Sequence, residues 1–353
     1  MSVSLEPPYG AADAGGMLAR IEALAEHVEQ ALARGAAEAW GPAAARPDLL
    51  AVGALGGSAI AADLTAGLYS DRLPHPLVTV RDYHWPAWLT KSSLALLCSY
   101  SGNTEETLSL YREAGARGAT RAAVSSGGQL AEWCARDGVP CTPVPGGAPP
   151  RAALFGSWVA ITGLLRGLGW IDDPTSAWRE TATLLRAGVA RLGAARREAD
   201  NPAKRLARAL HGRLPMIYCG SERLGAVATR LRNQLNENAK LLGHSALVPE
   251  LNHNEIVGWE IPGTVQRMAA VVLLRDREDS PETAKRLTLT GEYVAGRGAA
   301  VHEWTSVGES RLARIASLVQ FGDYLSFYMA LLNGADPTPI ASIDEFKRRL
   351  QAH

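Results

Sequence analysis

Residues 94–113, which read LALLCSYSGNTEETLSLYRE, combine an apolar run of strand length, a turn of small hydroxyl residues and a segment with helical spacing. A strand that enters a helix through such a turn leaves backbone N–H groups unpaired at the helix N-terminus, where the helix dipole also favours negative charge. Ser99, Ser101 and Thr104 add hydroxyl donors, and Gly102 lets the backbone approach a ligand closely. This layout predicts an anion site that suits a phosphate.

The same turn has a plainer interpretation. Asn103 and Glu106 have the spacing of a capping box, in which two side chains satisfy the first N–H groups of an ordinary helix. The turn also lacks the G-x-x-x-x-G-K-[ST] pattern of nucleotide-binding phosphate loops. From these residues alone, phosphate binding and simple helix capping stay open as alternatives.

Length and composition favour a globular protein of two ordinary domains, because 353 residues with 47% apolar residues can build substantial cores. Lysine plus arginine and aspartate plus glutamate number 36 each, so no excess charge attracts nucleic acid or a membrane surface. The most apolar helix candidate, residues 152–170, is broken by Arg166, and no leader pattern opens the chain. The four cysteines show no metal-ligand spacing, which favours reduced thiols. We expect a soluble, cytoplasmic protein.

Short strands alternate with helices along the chain. Strands are expected at residues 48–53, 77–80, 94–98, 121–124, 216–220 and 269–274. A second strand–glycine–hydroxyl–helix junction ends at Ser58, and residues 216–221 repeat its pattern. Junctions of this kind on neighbouring parallel strands converge on one crevice. The sequence therefore predicts an α/β fold of two doubly wound parallel sheets related by a weak internal duplication, with subdomains at residues 1–195 and 196–353.

The second copy of the duplication differs from the first at its turn. After the strand at residues 269–274 the chain reads RDREDSP, and three acidic residues there would repel a phosphate. Ser280 followed by Pro281 is instead a good helix start. We expect only the first copy to bind an anion, which gives one phosphate site per chain.

Helices are predicted at residues 17–40, 176–212, 224–241 and 310–332. The segment 176–212 is expected to bridge the two halves. Ser342 and Glu345 have capping-box spacing before a last helix that carries Lys347.

Two amide-rich clusters stand out in the second half. Residues 233–240, NQLNENAK, place Glu237 among amides at a helix end, and residues 250–255, ELNHNE, place His253 between amides and acids. Asparagine is a poor helix former, so its accumulation needs a reason. A solvated helix end and a structural histidine are the plain alternatives.

A phosphate cradle, a carboxylate and an imidazole, without a metal-ligand cluster or a nucleotide fingerprint, fit the isomerisation of an aldose phosphate to a ketose phosphate. In that reaction a carboxylate moves a proton between neighbouring carbons, and an imidazole moves a proton on the ring oxygen to open the sugar. A cation or amide donors stabilise the enediolate.

The first loop resembles the phosphate loop of the sugar isomerase (SIS) domain. The whole set of motifs is similar to the bifunctional phosphoglucose/phosphomannose isomerase family within the phosphoglucose isomerase superfamily. These motifs are GGS at residues 56–58, SYSGNTEET at 99–107, PRA at 150–152, NQLNENAK at 233–240 and ELNHNE at 250–255. The chain departs from the family in its first loop, where Gly53-Ala-Leu-Gly-Gly replaces Gly-Met-Gly-Gly.

The resemblance implies a role for each matching position. It assigns phosphate binding to Gly57, Ser58, Ser99, Ser101 and Thr104. It makes Glu237 the base, Arg151 the cation that stabilises the enediolate, and Lys347 an assisting group at the sugar end. Thr338 would help to admit the C2 epimer. His253 would open the ring and would come from the neighbouring subunit of a homodimer.

The resemblance thus implies an enzyme, without metal or organic cofactor, that interconverts glucose 6-phosphate, and also mannose 6-phosphate, with fructose 6-phosphate through a cis-enediol. Two alternatives remain: a non-catalytic phosphosugar regulator built on SIS modules, and an isomerase of another phosphosugar. The former would need an attached DNA-binding segment, which the sequence does not show.

Overall fold

The computed structural model describes residues 3–35, 47–221 and 223–352. These residues form nine strands: β1 Leu49–Ala54, β2 Leu77–Val80, β3 Ser93–Ser99, β4 Thr120–Ser125, β5 Cys141–Pro143, β6 Leu214–Gly220, β7 His244–Val248, β8 Ala269–Arg275 and β9 Ala300–Thr305. The strands agree with the expected positions to within two residues, and β5, β7 and β9 are additional.

Thirteen α-helices lie in the same described ranges: α1 Met17–Glu22, α2 Leu24–Ala33, α3 Gly56–Leu68, α4 Glu105–Ala116, α5 Gly128–Asp137, α6 Leu154–Gly167, α7 Thr175–Leu192, α8 Pro202–Leu210, α9 Gly225–Glu237, α10 Thr264–Met268, α11 Pro281–Ala295, α12 Arg311–Leu332 and α13 Ala341–Gln351. Short 3₁₀ helices at Pro150–Ala152, Glu250–His253 and Glu255–Trp259 matter for the site.

The strands form two parallel sheets with matching orders. The first sheet has the order β2-β1-β3-β4-β5 and the second β7-β6-β8-β9, and every pairing is parallel. Thus β1, β2, β3 and β4 correspond to β6, β7, β8 and β9. The predicted α/β fold with two parallel sheets is confirmed, and the shared order is what an internal duplication produces. The subdomain limits at residues 195 and 196 stay a prediction.

The register of the first sheet places its loops side by side. Ala54 at the end of β1 pairs with Cys98 of β3, and Cys98 pairs with Val124 of β4. All residues of β3 are buried, as expected for a central parallel strand covered on both faces. The turns after β1 and β3 therefore open at one edge of the sheet, where ligands of such folds bind.

Helix α12 lies in the centre of the molecule and packs against α7, α8 and α9. Its residues from Leu312 to Leu332 are all buried. Among the described residues, α12 is also the one helix that is long and apolar enough to cross a membrane, and that stretch lies wholly inside the fold.

The structure corrects several helix predictions. The helix expected at residues 17–40 is two helices that meet at Ala23, and residues 36–40 lie outside the described ranges. The segment 176–212 forms α7 and α8 rather than one helix, and α9 ends at Glu237 instead of residue 241.

The predicted capping residues gave mixed results. Ser280 caps α11 by accepting a hydrogen bond from the Thr283 amide, as predicted. The capping box at Ser342 is wrong, because α13 already begins at Ala341, which places Ser342 inside the helix, and no side chain caps it.

Candidate active site

The turn after β3 carries three of the hydroxyls assigned to phosphate. Ser99 Oγ lies 2.8 Å from Thr104 Oγ1, while Ser101 is exposed. Gly102 has φ of +71°, and a Cβ there would overlap the carbonyl oxygen of Gly127, so only glycine fits. The close turn thus brings Ser99 and Thr104 together at the start of α4.

The capping-box alternative for this turn is wrong. Thr104, not Asn103, precedes the first residue of α4, and no side chain caps that helix. The Asn103 carboxamide oxygen instead accepts a hydrogen bond from the Gln129 amide at 3.0 Å. The N-terminus of α4 is therefore left without a side-chain acceptor, which is the condition for anion binding.

The turn after β1 completes the cradle. Ser58 is 7% exposed, and its hydroxyl oxygen accepts a hydrogen bond from the Tyr100 amide at 3.3 Å. Gly57 packs so closely on residues 150–151 that a Cβ there would lie 3.0 Å from the Pro150 carbonyl oxygen. The two predicted phosphate turns are thus adjacent, and Arg151 lies directly beside them.

Arg151 is 3% exposed and is held by three acceptors. Its Nε donates a hydrogen bond to Asn238 Oδ1 at 2.7 Å. Its Nη2 donates to the carbonyl oxygens of Pro337 at 2.7 Å and Thr338 at 2.9 Å. Burial lowers the pKa of Arg151, an effect that the carboxylate of Glu237 opposes. Nη1 is the guanidinium nitrogen that remains for a ligand.

Glu237 is the last residue of α9, and its carboxylate Oε2 lies 3.5 Å from Arg151 Nη1. Its side chain is 28% exposed, so the carboxylate can reach a ligand as well as the guanidinium. The structure therefore joins the predicted base, the predicted cation and the phosphate turns in one continuous region. The roles assigned to them remain predictions.

A buried polar network that sequence reasoning missed supports this pair. Arg230 Nη2 donates to both carboxylate oxygens of Asp323, at 2.8 and 2.9 Å, and to the carbonyl oxygen of Arg151 at 3.1 Å. Gln234 Nε2 donates to Asp323 Oδ1 at 2.7 Å. These contacts join α9, α12 and the 3₁₀ helix at Arg151. Arg230, Gln234 and Glu237 fall at helical spacing, a signal that could have revealed them.

Thr338, the predicted specificity residue, lies in the segment that Arg151 holds. Its hydroxyl oxygen is buried and has no hydrogen-bond partner among the described residues. A Cβ at Gly15 would overlap the Thr338 side chain. The N-terminal segment therefore forms part of this wall, which the sequence did not suggest.

Lys240 contacts the same segment, residues 337–339, from the end of α9. Its Nζ donates to the carbonyl oxygens of Glu237 at 2.6 Å and Pro339 at 2.8 Å. Burial, and then repulsion from Arg151, lowers the pKa of Lys240. A groove of about 610 Å³ begins here and is lined by Glu237, Lys240 and the first turn of α13.

Lys347 is not brought into contact with Glu237. It lies on α13, whose residues 341–350 are all exposed, and it makes no ion pair or hydrogen bond with the described residues. Only the start of its helix lines the groove.

His253 lies far from Glu237 in the same chain. It ends the 3₁₀ helix Glu250–His253, which follows the carboxyl end of β7, whereas Glu237 ends a helix that runs back to the amino end of that sheet. Leu251 packs in the core on one face of the second sheet, and Leu235 packs in the core on the other. Since α9 alone is about 20 Å long at 1.5 Å per residue, the two side chains lie at opposite ends and on opposite faces.

The polar residues around His253 hold its segment in place. Asn252 Nδ2 donates to Thr290 Oγ1 at 2.8 Å, and Asn254 Nδ2 donates to Glu250 Oε1 at 2.6 Å. Glu255 accepts from the Tyr218 hydroxyl at 2.6 Å. His253 itself is exposed and makes no hydrogen bond within the described chain. The segment presents the imidazole to the outside.

The corresponding turn of the second sheet is filled by an internal ion pair. Asp276 is 4% exposed and accepts hydrogen bonds from Arg314 Nε at 2.8 Å and Ser306 Oγ at 2.6 Å. The carboxylate and its arginine thus occupy the place that an anion would need. In the described ranges, no three His, Cys, Asp or Glu side chains are placed to share a metal ion; that the site works without a cofactor remains a prediction.

The chain is similar in sequence to several known sugar-phosphate enzymes. A family model described as the bacterial phospho-glucose isomerase C-terminal SIS domain matches residues 199–350. A bifunctional phosphoglucose/phosphomannose isomerase of Caldicellulosiruptor bescii is 39% identical over 303 residues, which cover 86% of this chain and 89% of that protein. The protein of the same name from Aquifex aeolicus is 30% identical over 85% of this chain and 89% of its own. A D-glucosamine-6-phosphate 4-epimerase of Sulfolobus acidocaldarius is 30% identical, over 45% of this chain and 48% of its own.

Solved structures show the same fold at low identity. The C-terminal domain of glucosamine-fructose-6-phosphate aminotransferase from Francisella tularensis has a TM-score of 0.68 at 15% identity, covering 92% of this chain and 98% of its own. Tagatose-6-phosphate ketose/aldose isomerase from Escherichia coli has a TM-score of 0.64 at 15% identity, covering 92% and 91%. With 39% identity over most of both chains in one relative, the protein is an enzyme of the bifunctional phosphoglucose/phosphomannose isomerase family.

Proposed function

We propose that the enzyme interconverts glucose 6-phosphate, and also mannose 6-phosphate, with fructose 6-phosphate. The observation that carries the proposal is the contact between Glu237 and Arg151 beside two phosphate turns. A phosphorylated sugar anchored at Ser58, Ser99 and Thr104 would extend from the turns toward this pair. The names of the relatives point to the same two substrates.

The proposed reaction is a proton transfer through a cis-enediol. The Glu237 carboxylate removes the proton from C2 of the open aldose, the electron pair forms the C1–C2 double bond, and the carbonyl oxygen becomes an enediolate oxygen that is then protonated. Arg151 Nη1 stabilises the developing negative charge. The proton that O1 gains is the one that the O2 hydroxyl loses. As the C2 carbonyl forms, the electron pair of the C1–C2 double bond takes the proton back from Glu237 at C1, which gives the ketose. Because the proton leaves C2 and returns to C1 on the same face of the enediol, one carboxylate can carry out both transfers.

We propose that His253 of a second copy completes the site by opening the sugar ring. The imidazole would move a proton onto the ring oxygen. Support comes from the position of His253, which is exposed on a segment that its neighbours fix and which lies at the opposite end of the sheet from Glu237. A homodimer with exchanged histidines contains two equivalent sites.

Exposed apolar side chains give this dimer a surface. Four of them lie in the segment after His253: Val257, Ile261, Val265 and Met268. A fifth, Leu242, lines the groove beside Glu237. Three more form a stripe along α13: Ile343, Phe346 and Leu350. Because an 11-residue helix without packing is marginal in water, α13 needs a surface to cover it. A second copy that brings its His253 to the groove would bring its apolar segment to α13 as well, with Lys347 nearby.

The proposal includes a cytoplasmic location, in line with the phosphosugar substrates. Cys98, Cys134, Cys141 and Cys219 are all free thiols in the structure. Unpaired cysteines in a chain of this size are typical of a reducing compartment.

The function is tested by substituting the proposed base. We expect Glu237→Gln to lower kcat by at least ~10²-fold, because the amide cannot accept the C2 proton, while fructose 6-phosphate still binds. Coupled assays with glucose 6-phosphate and mannose 6-phosphate measure kcat, and isothermal calorimetry measures binding. Glu282→Gln, at an exposed position on α11, is the matched control. Near-wild-type turnover of Glu237→Gln would remove Glu237 from the mechanism.

The same assays separate the alternatives. Glucosamine 6-phosphate belongs in the substrate panel, because one partial relative is named as an epimerase of that sugar. Turnover of glucosamine 6-phosphate alone would indicate an enzyme for another phosphosugar. Binding without turnover of any sugar would indicate a phosphosugar regulator.

A further inference from the structure

Lys240 has an unusual backbone conformation. It is the one non-glycine residue with positive φ, +52°, among residues 3–35, 47–221 and 223–352. A side chain with a Cβ disfavours this left-handed region. Such a conformation persists where the surroundings impose it, and it clusters at functional sites.

The left-handed turn lets the Lys240 side chain fold back over the end of its own helix. Its ammonium group then meets three carbonyl oxygens: Glu237 at 2.6 Å, Pro339 at 2.8 Å and Pro337 at 3.5 Å. Two of these contacts are short, and the contact with Pro337 lies at the long limit of a hydrogen bond. The ammonium group is thus engaged by backbone carbonyl oxygens, while the residue also lines the groove beside Glu237.

The segment that Lys240 holds is short of hydrogen-bond donors of its own. Residues 337 and 339 are prolines without N–H groups, and the Thr338 amide donates to Asp336 Oδ1 at 2.9 Å. The segment can therefore be held only through its backbone carbonyl oxygens, which accept hydrogen bonds from other parts of the chain. Arg151 takes those of Pro337 and Thr338, and Lys240 takes those of Pro337 and Pro339.

We infer that Lys240 is a positioning residue that clamps residues 337–339 onto the end of α9. The clamp fixes the distance between Glu237, whose carbonyl it binds, and the wall that contains Thr338. It also holds Arg151, which shares the Pro337 carbonyl, against the same wall. Lys240 would thereby set both the geometry of proton transfer and the choice between the C2 epimers. This inference rests on the proposed function, since it names a further residue that serves that site.

Three substitutions at Lys240 distinguish the effect of losing the ammonium group from the effect of the strained backbone. Lys240→Gly accepts a φ of +52° without cost but removes the ammonium. Lys240→Met keeps the strained backbone and removes the ammonium. Lys240→Arg keeps a cation of similar reach. Lys91→Met, at an exposed position before β3, is the control.

We expect kcat for glucose 6-phosphate to fall about tenfold in both Lys240→Gly and Lys240→Met, less than the 10²-fold cost of an ångström-scale misplacement. KM should change less than twofold, about the scatter of such data, because the phosphate turns are untouched. The ratio of kcat/KM for mannose and glucose 6-phosphate should shift at least about threefold in both, and Lys240→Arg should recover most of the loss. Lys240→Gly should melt at a temperature equal to or above that of Lys240→Met.

Hydrogen–deuterium exchange provides a readout that does not depend on activity. Peptides covering residues 335–345 should exchange faster in Lys240→Gly and Lys240→Met than in wild type, and those covering β3 should not. The inference is overturned by unchanged kcat and epimer ratio, by unchanged exchange in residues 335–345, or by full activity in Lys240→Gly with loss only in Lys240→Met. If the wild-type protein isomerises no phosphosugar, the proposed function fails, and the exchange comparison alone decides the clamp.

Discussion

At the scale of single residues, the site depends on how completely Arg151 is held. Asn238, Pro337 and Thr338 fix its Nε and Nη2, which leaves Nη1 aimed at Glu237. The planar guanidinium group can donate to all of these acceptors at once, whereas the compact ammonium group of a lysine cannot reach them from one position. The arginine is therefore a fixed donor rather than a mobile charge.

We expect Arg151→Lys to lower kcat by about 10²-fold, because it loses the donor aimed at the enediolate. It should also lower the free energy of unfolding by about 1–3 kcal/mol, since buried carbonyls lose their partners. Steady-state assays measure kcat, and urea unfolding measures the free energy of unfolding. Arg136→Lys, at an exposed position, is the control. Wild-type kcat in Arg151→Lys would show that the guanidinium geometry is not used.

Sequence patterns identified the residues that lie in compact motifs. Ser58, Ser99, Arg151 and Glu237 were predicted as one functional group, and the structure places them together. Asp323 escaped notice because it lies far along the chain from Arg230, its partner in the buried pair. A buried ion pair between distant segments leaves no local pattern. Lys240 was visible within its motif, but its role depends on a turn that spacing does not reveal.

At the scale of elements, strands were easier to predict than helix ends. The apolar run at residues 94–98 needed no partner to be recognised, because a central parallel strand is buried on both faces. The capping boxes at Asn103 and Ser342 failed for a different reason. A capping residue is a small polar group that tertiary contacts can recruit, as the Gln129 amide recruits Asn103.

An ion pair between the turn after α3 and the start of α12 makes stability depend on pH. Arg311 Nη1 and Nη2 donate to the two carboxylate oxygens of Asp71, at 2.6 and 3.1 Å, and these hydrogen bonds lower the pKa of Asp71 to about 2 from 3.8. Because the folded-state pKa lies below the unfolded value, the stabilisation is present above about pH 4 and is lost as the pH falls toward 2.

We expect Asp71→Asn to lower the free energy of unfolding by about 0.5–1 kcal/mol near neutral pH, since the Asp71 side chain is 48% exposed and the pair is screened. The difference from wild type should close as the pH falls to about 2. Urea unfolding over this pH range measures it, with Asp172→Asn as the control. A difference that is independent of pH would assign the stabilisation to something other than the charge.

At the scale of the whole molecule, one chain holds all the proposed groups but does not bring them together. Glu237 lines a groove at one end of the second sheet and contacts the buried Arg151, and His253 is exposed at the other end. The sequence suggested a histidine from a neighbouring subunit only through a resemblance, because the spacing of the two motifs leaves their arrangement open. The topology explains why a second chain is needed, because it places Glu237 and His253 at opposite ends of the second sheet.

Complementation between two inactive variants tests this shared site most directly. Glu237→Gln and His253→Ala would each be purified, then mixed, unfolded and refolded together so that subunits exchange. In a mixed dimer one site carries both substitutions and the other carries neither. We expect the mixture to regain about a quarter of wild-type activity, because half of the dimers are mixed and each has one intact site. A mixture that stays as inactive as its parents, although it contains mixed dimers, would contradict a site built from two chains.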